Sequence, residues 1–315
     1  MDVTRVAAVD CGTNSIRLLI ADVDGGRLTD VHREMRIVRL GQGVDATGEF
    51  APEALARTRA ALQAYAALMR DHDVSAVRMV ATSAARDAGN RDEFFAMTSE
   101  VLGEVVPGAV AEVITGEQEA RLSFLGAVGE LDSAAAPFVV VDLGGGSTEV
   151  VLGSGDVEAA YSADIGCVRL TERCLRSDPP TRAETDAARA VVREALDAVL
   201  AVVPVQQART WVGVAGTMTT LAALARKMTT YDSDAIHLSS VSFDDLLPVC
   251  ADLLAMTRAQ RAVLGPMHEG RVDVIGGGAL IVTELAAMLG DRAGIDRLLV
   301  SEHDILDGIA LSIAP

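Results

Sequence analysis

Lysine is almost missing from this sequence: of its 27 basic residues only Lys227 is a lysine. Planar arginine forks are therefore nearly the only cations on hand for recognising an anion. Positive charge as a whole is scarce, since the formal net charge is −18. A surface of that sign releases few counterions on meeting a phosphate backbone, which excludes nucleic acid as a partner. A polyanionic ligand would have to be drawn in by local donors against an acidic background field. Long apolar runs are absent too. None approaches the roughly 18–20 residues that cross a bilayer. The first residues, MDVTRVAAVDCG, offer neither the basic start nor the apolar segment of a signal peptide, so no membrane partner and a cytoplasmic location are expected. Cys11, Cys167, Cys174 and Cys250 form no CxxC pair, which favours reduced thiols over disulfides or zinc. The five histidines are equally scattered, and no sequence-local metal cluster is present.

What the sequence does contain is core-forming residues, with 50% hydrophobic content over 315 residues and no low-complexity interruption. A folded protein of one to three domains follows. Strand-like and helix-like stretches alternate, the signature of an α/β class. Strands are expected at 6–9, 16–21, 36–40, 77–81 and 110–114 in the first half. In the second they fall at 138–142, 149–152, 157–163, 211–214 and 297–300. Helices are expected at 52–70, 92–102, 117–129, 181–203, 217–228 and 304–313. The stretch 243–289 reads as mainly helical, with breaks at Gly265–Pro266 and Gly276–Gly278.

The most informative feature is an internal repeat. AVDCGTNS, residues 8–15, lines up with VVDLGGGS, residues 140–147. Both read as apolar strand, D-x-G-x-x-S, then apolar strand, and each stands at the head of a half-chain, so duplication is the reading. Two similar halves would set their glycine hairpins facing one another across a cleft. Glycine lets a backbone take positive φ and approach a ligand closely, and successive N–H groups in such a turn form a concave anion site. Taken alone, either stretch also serves as an ordinary tight hairpin; two matching copies favour a phosphate cradle.

Two further stretches carry candidate chemistry. ITGEQEARLSFLG, 114–126, leaves a strand and opens a helix with Glu117, Glu119 and Arg121 in its first turns. Acids there complement the helix dipole, yet the carboxyl end of a strand is also where α/β folds bind ligands. Local residues do not decide between these readings. ATSAARDAGN, 81–90, follows another strand with small residues and Arg86, a side chain suited to forking a phosphate.

In this order VDCGTNSIRLLI, ATSAARDAGN, ITGEQEARLSFLG and VVDLGGGSTEVV resemble the exopolyphosphatase/guanosine pentaphosphatase family, Ppx/GppA. IGCVRLTER (165–173), GVAGTMTTLAAL (213–224) and VSEHDILDGI (300–309) fit the same pattern. The match runs along essentially the whole chain. Longer members append helical HD-like domains, whereas this sequence stops at Pro315 and resembles the short two-domain form.

The resemblance implies an α/β, two-lobed actin-like fold, a duplicated ribonuclease H-like design with a cleft. The lobes would be 1–131 and 132–301, with 302–315 packing back on the first. It implies metal-dependent release of terminal orthophosphate from inorganic polyphosphate, with short chains preferred. The alternatives are hydrolysis of pppGpp, or a (p)ppGpp- or polyphosphate-binding regulator with little turnover. It makes Glu119 the catalytic base; its neighbour Gln118 replaces a commonly acidic residue. Asp142 and Glu149 are expected near the attacking water and, with Asp10, around Mg2+ or Mn2+. Phosphate oxygens are expected at Gly144, Gly145, Gly146 and Ser147, with Asn14, Ser15 and Arg86 completing the set. A homodimer is implied as well.

Overall fold

The computed structural model describes residues 3–313. The chain divides into two compact units: residues up to Gly126 together with those from Ile305 onward, and Ala127–Asp304.

In the first unit, five strands carry the sheet: β1 (Thr4–Cys11), β2 (Ser15–Asp24), β3 (Arg27–Ile37), β4 (Ala76–Ala81) and β5 (Glu112–Val113). Their order is β3-β2-β1-β4-β5, with β1, β2 and β3 antiparallel and β4 and β5 added in parallel to β1. The helices are α1 (Val44–Thr47), α2 (Pro52–Asp71), α3 (Ser83–Asp87), α4 (Arg91–Gly103) and α5 (Gly116–Val128). β1 is apolar almost throughout because both faces of the sheet are covered. Ala7, Val9 and Cys11 join one cluster with Leu62, Tyr65 and Met69 of α2 and Phe94 of α4. The alternating Val6 and Ala8 join another with Ile305, Leu306 and Ile309 from the end of the chain.

The second sheet repeats the plan. Its strands are β6 (Phe138–Leu143), β7 (Thr148–Gly153), β8 (Val157–Ala163), β9 (Thr210–Val214), β10 (Ser239–Ser242) and β11 (Arg297–Val300). The order is β10-β11-β9-β6-β7-β8, again with three antiparallel strands followed by parallel additions to the first. Only β10, an antiparallel edge, has no counterpart. Its helices are α6 (Cys167–Cys174), α7 (Arg182–Val202), α8 (Ala215–Ala225), α9 (Ser233–Ile236), α10 (Phe243–Ala255), α11 (Arg258–Arg261) and α12 (Ile275–Ala293). α13 (Ile305–Ile313) returns to the first unit, where its buried Asp307 is forked by Arg33 of β3. Two mixed sheets of matching topology, each with helices, make this an α/β actin-like fold.

Two expectations need correction. The third strand is not 36–40 but Arg27–Ile37, a largely polar, half-exposed edge strand whose pairing rests on backbone bonds and ion pairs rather than apolar alternation. Beyond it, Val38 and Arg39 turn to donate their N–H groups to the Asn14 carbonyl, at 3.1 and 2.8 Å. Gly276–Gly278 does not break the helix; all three lie inside α12 and are buried. A Cβ on Gly277 would lie 2.6 Å from Thr171 Oγ1, and one on Gly278 2.5 Å from Thr217 Cγ2. These glycines bring α12 close to α6 and α8, and that packing outweighs the roughly 1 kcal/mol each costs in helix propensity.

Candidate active site

β1, β4 and β5 are parallel neighbours, with Cys11 beside Ala81 and Ala81 beside Val113. The three stretches singled out in the first half therefore leave one edge of one sheet side by side, at the carboxyl ends where open α/β sheets bind ligands. The β1–β2 turn closes through Gly12 N–H donating to the Ser15 carbonyl at 2.9 Å. Asn14 and Ser15 are half-buried there. Thr13 packs beneath Gly41, where a Cβ would come within 2.4 Å of its Cγ2.

From β4 the chain enters α3, which carries Arg86; from β5 it enters α5. The start of α5 is a reciprocal cap. Gln118 N–H donates to Thr115 Oγ1 at 3.2 Å, and Thr115 N–H donates to Gln118 Oε1 at 2.9 Å. This gives Gln118 a physical role, because either Gln or Glu completes a capping box. Glu117 pairs with Arg121 on the exposed face. Glu119 instead turns inward, is 7% exposed, and accepts from Arg86 Nη1 at 2.6 Å. The same nitrogen reaches the Ile114 carbonyl at 3.1 Å. The structure thus joins two sequence candidates, Arg86 and Glu119, in one part-buried ion pair that fixes the carboxylate.

The second unit presents the duplicate turn. Gly144 N–H donates to the Ser147 carbonyl at 3.1 Å, the bond made by Gly12 and Ser15 in the first. The first N–H of the glycine run is thus used to close the turn. Gly145 and Gly146, by contrast, donate their N–H groups to no other residue among those described. Their peptide planes are held from behind. Cys167 N–H donates to the Gly144 carbonyl, and Val168 and Arg169 donate to the Gly145 carbonyl, at 3.0, 2.9 and 3.1 Å. The amides opening α6 thereby fix the loop carbonyls on one side, leaving two N–H groups for an oxyanion. Gly166 permits this contact, since a Cβ there would lie 2.4 Å from the Gly145 carbonyl carbon.

Asp142 and Glu149 face each other directly across β6 and β7, at 6% and 1% exposure. Glu149 Oε1 accepts from Ser162 Oγ at 2.7 Å. Two carboxylates on one face of a strand pair form a hard oxygen donor set, which fits Mg2+ or Mn2+ better than a softer ion. The matching positions in the first unit differ. Asp10 faces Arg17, which grips it through Nη2 and Nε at 2.6 and 3.0 Å. The Arg17 guanidinium neutralises the Asp10 charge, which makes Asp10 a weaker metal ligand than a carboxylate would otherwise be.

Arg17 was not among the sequence candidates, although extending the repeat two positions past Ser15 and Ser147 pairs it with Glu149. A further arginine, Arg271, belongs to the second unit. Its guanidinium lies against Gly216, where a Cβ would be 2.1 Å from Nη2, and its Nη1 donates to Thr220 Oγ1 at 3.1 Å. It thus stands at the start of α8, which follows β9. No regular spacing in the sequence announces this contact. Burial pushes the thiols of both Cys11 and Cys167 above the ordinary cysteine range.

The Ppx/GppA phosphatase family profile matches residues 19–313. The sequence is 70% identical to exopolyphosphatase 2 of Mycobacterium tuberculosis over the full length of both chains. It is 33% identical to the guanosine-5'-triphosphate,3'-diphosphate pyrophosphatase of Photobacterium profundum, across 68% of this chain and 42% of that one. Among solved structures, an exopolyphosphatase-like protein superposes with a TM-score of 0.94 at 43% identity, covering 99% of this chain and 98% of the other.

Proposed function

The chain belongs to the Ppx/GppA phosphatase family, and from that premise we propose that it is an exopolyphosphatase, a phosphoric anhydride hydrolase acting on the terminal phosphate of inorganic polyphosphate. The observation that carries this reading is the part-buried Arg86–Glu119 pair at the carboxyl ends of two adjacent parallel strands. Water attacks the terminal phosphorus, the bond to the bridging oxygen breaks, and the electron pair leaves with the shortened chain. Glu119 accepts the proton of the attacking water, a role for a fixed carboxylate. Arg86 keeps that carboxylate in place, and its planar guanidinium is of the type that recognises phosphoryl oxygens. In the second unit the N–H groups of Gly145 and Gly146, with Ser147 beside them, are the donors for phosphoryl oxygens; in the first unit Asn14 and Ser15 are the candidate phosphate contacts.

Asp142 and Glu149 would hold a divalent cation, Mg2+ or Mn2+. Such an ion supplies charge neutralisation for the phosphoryl oxygens. Phosphoryl transfer asks mainly for positioning and electrostatics, which these residues provide without a covalent nucleophile. The proposal extends to a cytoplasmic homodimer, for which light scattering on the purified protein is the direct check. A second reading, hydrolysis of pppGpp, is favoured by the 33% identity to the Photobacterium enzyme.

Phosphate release separates the two. Purified protein with divalent cation is given polyphosphates of several lengths and, separately, pppGpp. Release from polyphosphate at the higher kcat/KM supports the first reading, and preference for pppGpp supports the second. Binding of either without release would make the protein a regulator and overturn both.

A further inference from the structure

We propose that Glu130, His237 and His303, all in the second unit, form a Zn2+ site separate from the carboxylate pair on β6 and β7. The three residues come from distant segments: just after α5, the C-terminal end of α9, and the turn between β11 and α13. One ligand atom from each lies within 4.8 Å of the others. Glu130 Oε2 stands 2.8 Å from His237 Nε2 and 3.5 Å from His303 Nδ1, and the two rings are 4.4 Å apart.

Surrounding bonds fix the metal-free arrangement of these residues. His303 is held in a tight turn, its N–H donating to Ser301 Oγ at 3.0 Å while that hydroxyl donates to the His303 carbonyl at 2.9 Å. His237 Nδ1 accepts the Glu302 N–H at 3.2 Å, and the Glu302 carboxylate receives the Tyr231 hydroxyl. Glu130 is exposed, while both histidines are half-buried.

Two imidazoles and one carboxylate suit zinc rather than magnesium, which seeks oxygen ligands only. Zinc bonds of about 2.0–2.2 Å set neighbouring ligand atoms about 3.4 Å apart in a tetrahedron. The Glu130–His303 pair already has that spacing, and the Glu130–His237 pair needs to open slightly. In the metal-free ring the Glu302 N–H occupies the Nδ1 lone pair, so the proton of neutral His237 sits on Nε2 and faces Glu130. On metal binding Zn2+ takes that position, the ring proton moves to Nδ1, and the 3.2 Å bond from Glu302 is given up. That loss, and a fourth position left to water, makes the site weaker than a closed four-ligand structural zinc. Neutral imidazole is required, so uptake weakens in acid.

The test uses untagged, metal-stripped protein titrated with Zn2+ by calorimetry, and with Co2+ as a visible probe. One equivalent is expected in the wild type, with nitrogen-ligated cobalt absorption. Affinity should fall about tenfold or more in His237→Ala, His303→Ala and the exposed, fold-neutral Glu130→Gln, with circular dichroism confirming folding. Asp142→Asn should keep both the equivalent and the spectrum. Unchanged zinc binding in all three ligand variants, loss of the signal in Asp142→Asn, or no saturable zinc binding by the wild type would each overturn the proposal.

Discussion

Glu119 and Arg86 lie 33 positions apart in the chain and 2.6 Å apart in space, and each candidate was visible in its own motif. Their pairing was not, because it depends on β4 and β5 being parallel neighbours, a fact of topology that no local spacing encodes. The same holds for Gln118. The sequence shows a missing acid, whereas the fold shows that the amide completes the cap of α5. On the proposed mechanism, Glu119→Gln removes the proton acceptor while leaving an isosteric partner for Arg86. Steady-state kinetics on polyphosphate should show kcat reduced by about 10²–10⁴ with KM little changed. A rate within a few-fold of wild type would take Glu119 out of the chemistry.

Elements with strong local signals were legible, and those set by neighbours were not. α7 was expected from Thr181 onward, and the structure supplies the reason. Thr181 and Glu184 form a capping box, with Thr181 N–H donating to Glu184 Oε2 at 2.7 Å. Arg176 and Ser177 add backbone N–H donors to Glu184 Oε1 at 3.1 and 3.0 Å. These bonds, that from Thr181 foremost, lower the Glu184 carboxyl from its ordinary 4.5 to about 2. A group depressed in the folded state contributes stability above its unfolded pKa and loses it as pH falls through the folded value. The contribution from Glu184 is therefore complete above about pH 4.5 and gone near pH 2. Urea unfolding of Glu184→Gln against wild type should show a difference at pH 6 that narrows steadily below pH 4.5.

β3 and β10 had no comparable signal, since polar edge strands are held by backbone ladders that sequence periodicity does not report. Gly166 belongs to this second kind. Its need for glycine comes from Gly145 across the contact, 2.4 Å from where a Cβ would stand. Gly166→Ala should destabilise the fold by about 1–3 kcal/mol, read by denaturant unfolding. It should also weaken phosphate binding more than Gly155→Ala, an exposed site with open space around it.

For the whole molecule, the duplication was readable from one eight-residue repeat, because both copies kept the turn that closes on a serine carbonyl. Charge acts at this scale too. A net charge of −18 repels any polyanion approaching from solution. Salt screens that repulsion, with a Debye length of about 8 Å at physiological ionic strength. With divalent cation saturating, kcat/KM for polyphosphate should rise as KCl is raised from low values to roughly 0.15 M. A monotonic fall would mean that the arginines and glycine N–H groups, rather than the acidic surface, dominate the approach.

At one strand-pair position the two copies of the turn differ in charge: Asp10 faces Arg17, and Asp142 faces Glu149. The first copy encodes its own counter-ion. The second, on the proposed metal assignment, takes a cation from solution as well, so its cohesion is set partly by the surroundings. Whatever binds the folded form alone stabilises it by mass action. Hydrogen exchange should then slow on adding magnesium along β6 and β7 and stay unchanged along β1 and β2. One half of a doubled ancestor would have become self-sufficient, while the other stayed answerable to the divalent ion supply of the cell.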